Sequence, residues 1–174
     1  MTSDPAQTPA LTPERADLLS ALTKHRWLFT QTLTDLTDEQ AGARTSAGEL
    51  CLGGLVKHVA ETEGQWAEFA VHGAAGFPSF AETDWQARAD SFRMLPGETV
   101  AGVLADYAAV AARTDGLVRT IDLDLAHDLP VAPWFEEGRW TARRVFVHVL
   151  AEVSQHAGHA DLLREAIDGR TSMG

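Results

Sequence analysis

The sequence predicts an all-α chain, a four-helix bundle with long connections after the second and third helices. Three observations predict it. Apolar residues recur at helical spacing in four stretches, about residues 12–34, 47–71, 98–119 and 141–167. No stretch alternates apolar and polar residues with the period of a strand. Two irregular segments carrying Pro and Gly separate the second stretch from the third and the third from the fourth. Four helices with one apolar stripe each bury those stripes by packing together.

Residues 1–11 are polar, carry Pro5 and Pro9, and are expected to form a flexible arm, leaving 12–174 as one domain. Thr12-Pro13-Glu14 is a helix start, with Thr12 as N-cap and Pro13 in the first helical position. Leu18, Leu19, Leu22, Trp27, Phe29 and Leu33 supply its apolar set; His25 within it reads as solvated or partly buried. Thr37-Asp38-Glu39-Gln40 is a capping-box pattern for a short helical turn. Ser46-Ala47-Gly48-Glu49 is a second such pattern, expected to open the second long helix, with Leu52, Leu55, Val56, Val59, Trp66 and Phe69 on its face. His58 lies on that inward side. Cys51, before Leu52, reads as a packed thiol rather than an activated one.

A connection of about 20 residues comes next, with Trp85 and Phe92; connections this long often cover something. Val100, Val103, Leu104, Tyr107, Val110, Leu117 and Val118 mark the third helix. From Asp122 to Arg139 the chain is irregular again. Trp134 to Gly138 is expected to turn over the end of the bundle, and His127 to lie on the surface. Thr141 caps the last helix and Gly169 ends it.

That last helix carries His148, Glu152, His156 and His159, spaced i, i+4, i+8 and i+11. At about 100° per residue they share an arc of roughly 80°. Val145, Val149, Val153, Ala160, Leu163 and Ile167 lie on or beside the same stripe, so ionisable groups stand where the apolar face turns inward. Burying such groups is costly unless they are paired or bind a metal. Glu152 and His156, or His148 and Glu152, have the spacing to share one divalent ion, with His58 as a third ligand from another helix. His159 is a fourth ligand, an outer partner or a proton carrier; spacing does not choose.

Several function classes are excluded. A net charge of −11 argues against nucleic acid and against an anionic membrane. No apolar run approaches the roughly 18 residues of a membrane-spanning helix. Met1-Thr2-Ser3-Asp4-Pro5 lacks the basic and apolar regions of a signal peptide, and a single cysteine fits a reducing cytoplasm. No glycine-rich phosphate loop or dinucleotide fingerprint implies a nucleotide cofactor.

Gly54 to Glu63 with Trp66, then Pro96-Gly97-Glu98-Thr99-Val100, then His148 to Glu152 and His156 to Glu165, resemble the DinB superfamily. The match is nearest to an actinobacterial branch that includes mycothiol S-transferases, and it spans nearly all of the chain after residue 12. The resemblance implies a DinB-like four-helix bundle with a metal held by His58, Glu152 and His156. Many members have His at the first position of the last-helix pair; Glu152 is similar to the Glu of mycothiol-dependent maleylpyruvate isomerases. It implies a divalent ion, zinc first with nickel, iron or manganese as alternatives, that activates a low-molecular-weight thiol such as mycothiol for attack on an electrophile. His159 and Arg143 are the expected catalytic residues, Arg143 as a holder of carboxylates. A homodimer is also expected, with Trp27, Phe29 and the third helix as candidate surface. The competing expectation is a non-catalytic metal-binding, stress-response or interaction protein of the same fold.

Overall fold

The structure is a computed structural model; it describes residues 10–46, 48–77, 83–133 and 135–173. The expected N-terminal arm therefore lies largely outside the described residues, as does Trp134. The helices are α1 (Pro13–Gln31), α2 (Asp38–Ala41), α3 (Leu52–His72), α4 (Trp85–Asp90), α5 (Val100–Thr120) and α6 (Ala142–Asp168). A 3-10 turn, Gly73–Gly76, comes directly after α3. Strands β1 (Ala126–Asp128) and β2 (Arg139–Thr141) form an antiparallel pair with His127 opposite Trp140. Four helices, α1, α3, α5 and α6, make the bundle: α3 packs on α5 and α6, and α1 packs on α6 and α5.

The starts are set by side-chain caps that satisfy otherwise orphaned N–H groups. Thr12, Thr99 and Thr141 accept from the N–H groups of Arg15, Gly102 and Arg144. Thr37 and Gln40 form the expected capping box. Gly169 ends α6 at φ 78°, a conformation that glycine adopts without strain. The apolar stripes meet in one core that includes Leu22, Phe29, Leu55, Val56, Val118, Phe146 and Val153, all 0% exposed.

The described structure departs from the sequence reading at four places. The second long helix starts at Leu52, not near residue 47. Ser46 spends its hydroxyl on Gly48 N (3.4 Å), a local turn that competes with helix, and the Cys51 sulfur caps Gly54 N (3.4 Å) instead. The connection after α3 contains α4, whose N-cap Asp84 accepts from Gln86 and Ala87. His127 is not a surface residue: it is half-buried, its ring 5.9 Å from that of Phe69, and among the described residues its buried Nε2 has no hydrogen-bond partner. Phe29 belongs to the core and offers no surface, whereas Trp27 is 55% exposed.

Two buried arginines join the helices that carry the site. Arg26 of α1 reaches across the bundle centre to Glu63 of α3, with Nη2 2.5 Å from Oε1 and Nε 3.2 Å from Oε2, and it also holds Asp115 of α5 at 2.7 Å. Arg26 and Glu63 are both buried. Arg164 of α6, 2% exposed, donates to the carbonyls of Thr32 and Thr34 just after α1, at 2.8 and 2.7 Å, and pairs with Asp168. A cation there satisfies orphan carbonyls and favours the helix dipole.

Gly54 governs the approach of the segment before α5. A Cβ on Gly54 would lie 2.0 Å from the Phe92 carbonyl oxygen, so the chain passes directly against the first turn of α3. Lys57 then ties that segment down through the carbonyls of Asp90 and Arg93 and the carboxylate of Glu98. Gly54→Ala is expected to push residues 92–94 away and cost about 3 kcal/mol or more, the upper part of the overpacking range. Urea titration checks it; a loss under about 1 kcal/mol would show that the segment moves freely.

Candidate functional site

Residue 58 sits one turn and a half into α3, and Phe92 covers it. The His58 and Phe92 rings stack at 4.1 Å between centroids and 26° between planes. On the other side the His156 ring of α6 meets His58 edge-on, at 5.1 Å and 85°. Thus the packing of α3 on α6 brings together two histidines far apart in sequence. Glu152, one turn before His156, stands between two imidazoles of its own helix: Oε1 is 3.4 Å from His148 Nε2 and Oε2 is 3.6 Å from His156 Nε2.

The surroundings adjust each group. Burial, then the charges of His156 and Arg88, push the His58 imidazole down to about 4, so it is neutral with a lone pair available near pH 7. The contact with His156, helped by His148 and opposed by burial, holds the Glu152 carboxyl below the usual carboxylate range. Burial, with Arg144 adding to it against the pull of Glu152, lowers His148. Trp66 and Trp140 stack at 4.8 Å and 15°, and the His148 ring sits edge-on to both, at 4.7 and 5.0 Å. Arg144 lies over Trp140, 4.3 Å from its centroid, and braces the stack.

A cavity of about 770 Å³ opens beside these groups. His58, His148 and Glu152 line it, with Trp66, Phe77, Trp85 and Phe135 as aromatic wall and Arg88 as a cationic one. The volume is that of a small-molecule site. A model of the mycothiol S-transferase family matches residues 17–169. The chain belongs to the mycothiol S-transferase family. A search of curated proteins gives no match. Membership in the mycothiol S-transferase family agrees with the DinB-like helical bundle and with an association with mycothiol transfer.

The structure brings some of the sequence-derived residues together and leaves others apart. His58, Glu152 and His156 come together, and His148 joins them from the cavity side. His159 is exposed, outside the cavity lining, and its Nδ1 lies 3.3 Å from His156 Nδ1. Arg143 is also outside the lining: its guanidinium is engaged by Glu14 of α1 and by Asp124. Cys51 is buried, as its packing role requires. Sequence reasoning misses Arg88, because it lies in the connection where no periodicity marks a face. Its only local signal is the Asp84 cap that opens α4.

Two imidazole nitrogens and a carboxylate oxygen make a nitrogen–nitrogen–oxygen donor set, which suits zinc and the neighbouring first-row ions. The donor chemistry of His58, His156 and Glu152 therefore fits the metal that the family resemblance implies. Among the described residues no three His, Cys, Asp or Glu side chains are already gathered closely enough to hold an ion. Glu152 instead lies along α6 against its two histidine neighbours. No described helix is long and apolar enough to cross a membrane.

Proposed function

We propose that this chain is a metal-dependent mycothiol S-transferase that joins the thiol to an electrophile in the cavity beside His58. The observation that carries the reading is the meeting of His58 with the Glu152–His156 pair at the edge of a cavity of about 770 Å³. His58, Glu152 and His156 would hold the divalent ion, zinc first. Such an ion, when bound, depresses the pKa of a thiol and so raises its thiolate fraction at neutral pH.

The chain's own residues do the rest. With the ion bound, a proton on His156 Nδ1 donated to His159 Nδ1 would leave the Nε2 lone pair of His156 for the metal. His159 thereby acts on His156 as a positioning residue, and its exposure lets it pass protons to solvent. Trp66, Phe77 and Phe135 exclude water and bury the apolar part of a substrate. Arg143 joins α6 to α1 and to the segment before β1; with its guanidinium taken up by Glu14 and Asp124, it serves the scaffold of the site in this reading. The homodimer expected from the resemblance belongs to the same proposal, with Trp27 as the exposed candidate on α1.

The test is turnover by zinc-loaded protein with mycothiol against a panel of alkylating and conjugate-accepting electrophiles. Thiol consumption above the uncatalysed rate, lost on chelation and restored by zinc, is the expected result. Metal binding without turnover on any electrophile would favour a non-catalytic metal-binding protein.

A further inference from the structure

The charged groups on the cavity wall are not equally satisfied. The Glu61 carboxylate accepts from Gln65 Nε2 at 3.1 Å. Asp84 Oδ1 is taken up by the N–H groups of Gln86 and Ala87, at 2.9 and 3.0 Å. Glu152 lies between His148 and His156. Arg88 differs: it is the one Arg or Lys on the wall among the described residues, and its guanidinium, on an exposed side chain, has no hydrogen bond or ion pair among them and stays available to a ligand. The chain carries a net charge of −11, whose field opposes the entry of an anion. Binding one in this cavity takes a local donor, and a guanidinium fork matches a carboxylate with two parallel hydrogen bonds.

We propose that Arg88 anchors a carboxylate of the electrophilic substrate, so that the chain takes electrophiles combining an acidic group with an apolar body. This deepens the S-transferase reading and rests on it. The aromatic wall of Trp66, Phe77, Trp85 and Phe135 holds the apolar body while Arg88 holds the acid, which fixes the substrate's orientation toward the His58 side.

A matched pair of probes tests the proposal: para-(chloromethyl)benzoate and para-(chloromethyl)benzamide, with zinc-loaded protein and mycothiol. In both, the thiolate sulfur forms a bond to the benzylic carbon, the carbon–chlorine bond breaks, chloride leaves with the bonding pair, and the thiol proton goes to buffer. Wild type is expected to favour the benzoate in kcat/KM. Arg88→Gln is expected to lower the benzoate-to-benzamide ratio by about tenfold or more, mainly through the KM of the benzoate, and Arg88→Lys to recover part of it. The KM of mycothiol should stay unchanged. An unchanged ratio, or a change confined to the KM of mycothiol, overturns the proposal. If neither probe is turned over, the S-transferase reading fails on these substrates. The anion site is then decided by calorimetric binding of the unreactive para-methylbenzoate and para-methylbenzamide to the zinc-loaded protein. A benzoate affinity that falls about tenfold in Arg88→Gln upholds the site; equal affinities in the two proteins reject it.

Discussion

His156→Ala is expected to yield folded protein that no longer retains a divalent ion. His156 meets His58 across the α3–α6 contact and lies beside Glu152, so in the proposed ligand set its loss removes one of three donors. The affinity should fall by more than the roughly 10- to 100-fold that losing an outer partner of a ligand costs. The helix survives, because Ala is the best helix former and the side chain is not part of a cap. His159→Ala, removing only the group that touches His156 Nδ1, should stay within that 10- to 100-fold range. Elemental analysis after gel filtration, with chelator competition for the affinities, checks both. Retention of the ion by His156→Ala together with its loss from His159→Ala would move the ligand set one turn along α6. Retention by both would end the metal reading.

Glu63→Ala is expected to be the most destabilising single change in the bundle, by about 3–5 kcal/mol. Arg26 and Glu63 are both buried, and without the carboxylate the guanidinium keeps only Asp115 while still excluded from water. That loss is a large part of the roughly 5–15 kcal/mol that holds a domain folded. Removing both charges together, as Arg26→Met with Glu63→Leu, should recover most of the stability, because the penalty comes from the stranded charge rather than from the lost pair. Urea melts of the wild type and both variants measure it. A Glu63→Ala cost below about 1 kcal/mol would mean that water reaches Arg26 in the folded protein.

The four bundle helices were legible because each carries its own evidence. Thr12 and Thr141 cap where the sequence places helix starts, and Leu22, Val56, Val118 and Val153 fall on the buried faces that the helical period marks. The polar stripe of α6 was legible for a related reason: a carboxylate and imidazoles on an apolar stripe conflict with burial unless they have a purpose, while the choice of His58, Glu152 and His156 rested on the family resemblance. The start of α3 was misread because Ser46-Ala47-Gly48-Glu49 has the composition of a capping box, whereas Ser46 turns to Gly48 and a sulfur does the capping. α4 was missed because a helix of 6 residues is too short to show a period.

The sequence by itself determined the bundle, its caps and the polar stripe of α6, since these depend on groups within a few residues of one another. Only the tertiary structure decided that Phe29 is core while Trp27 faces out, that Arg26 pairs with Glu63, and that Phe92 stacks on His58. It also decided that Arg88 lines the same cavity as His58. These contacts join residues from separate helices and connections. Their geometry depends on how two faces pack, and helical periodicity says which face turns inward but not which partner it meets.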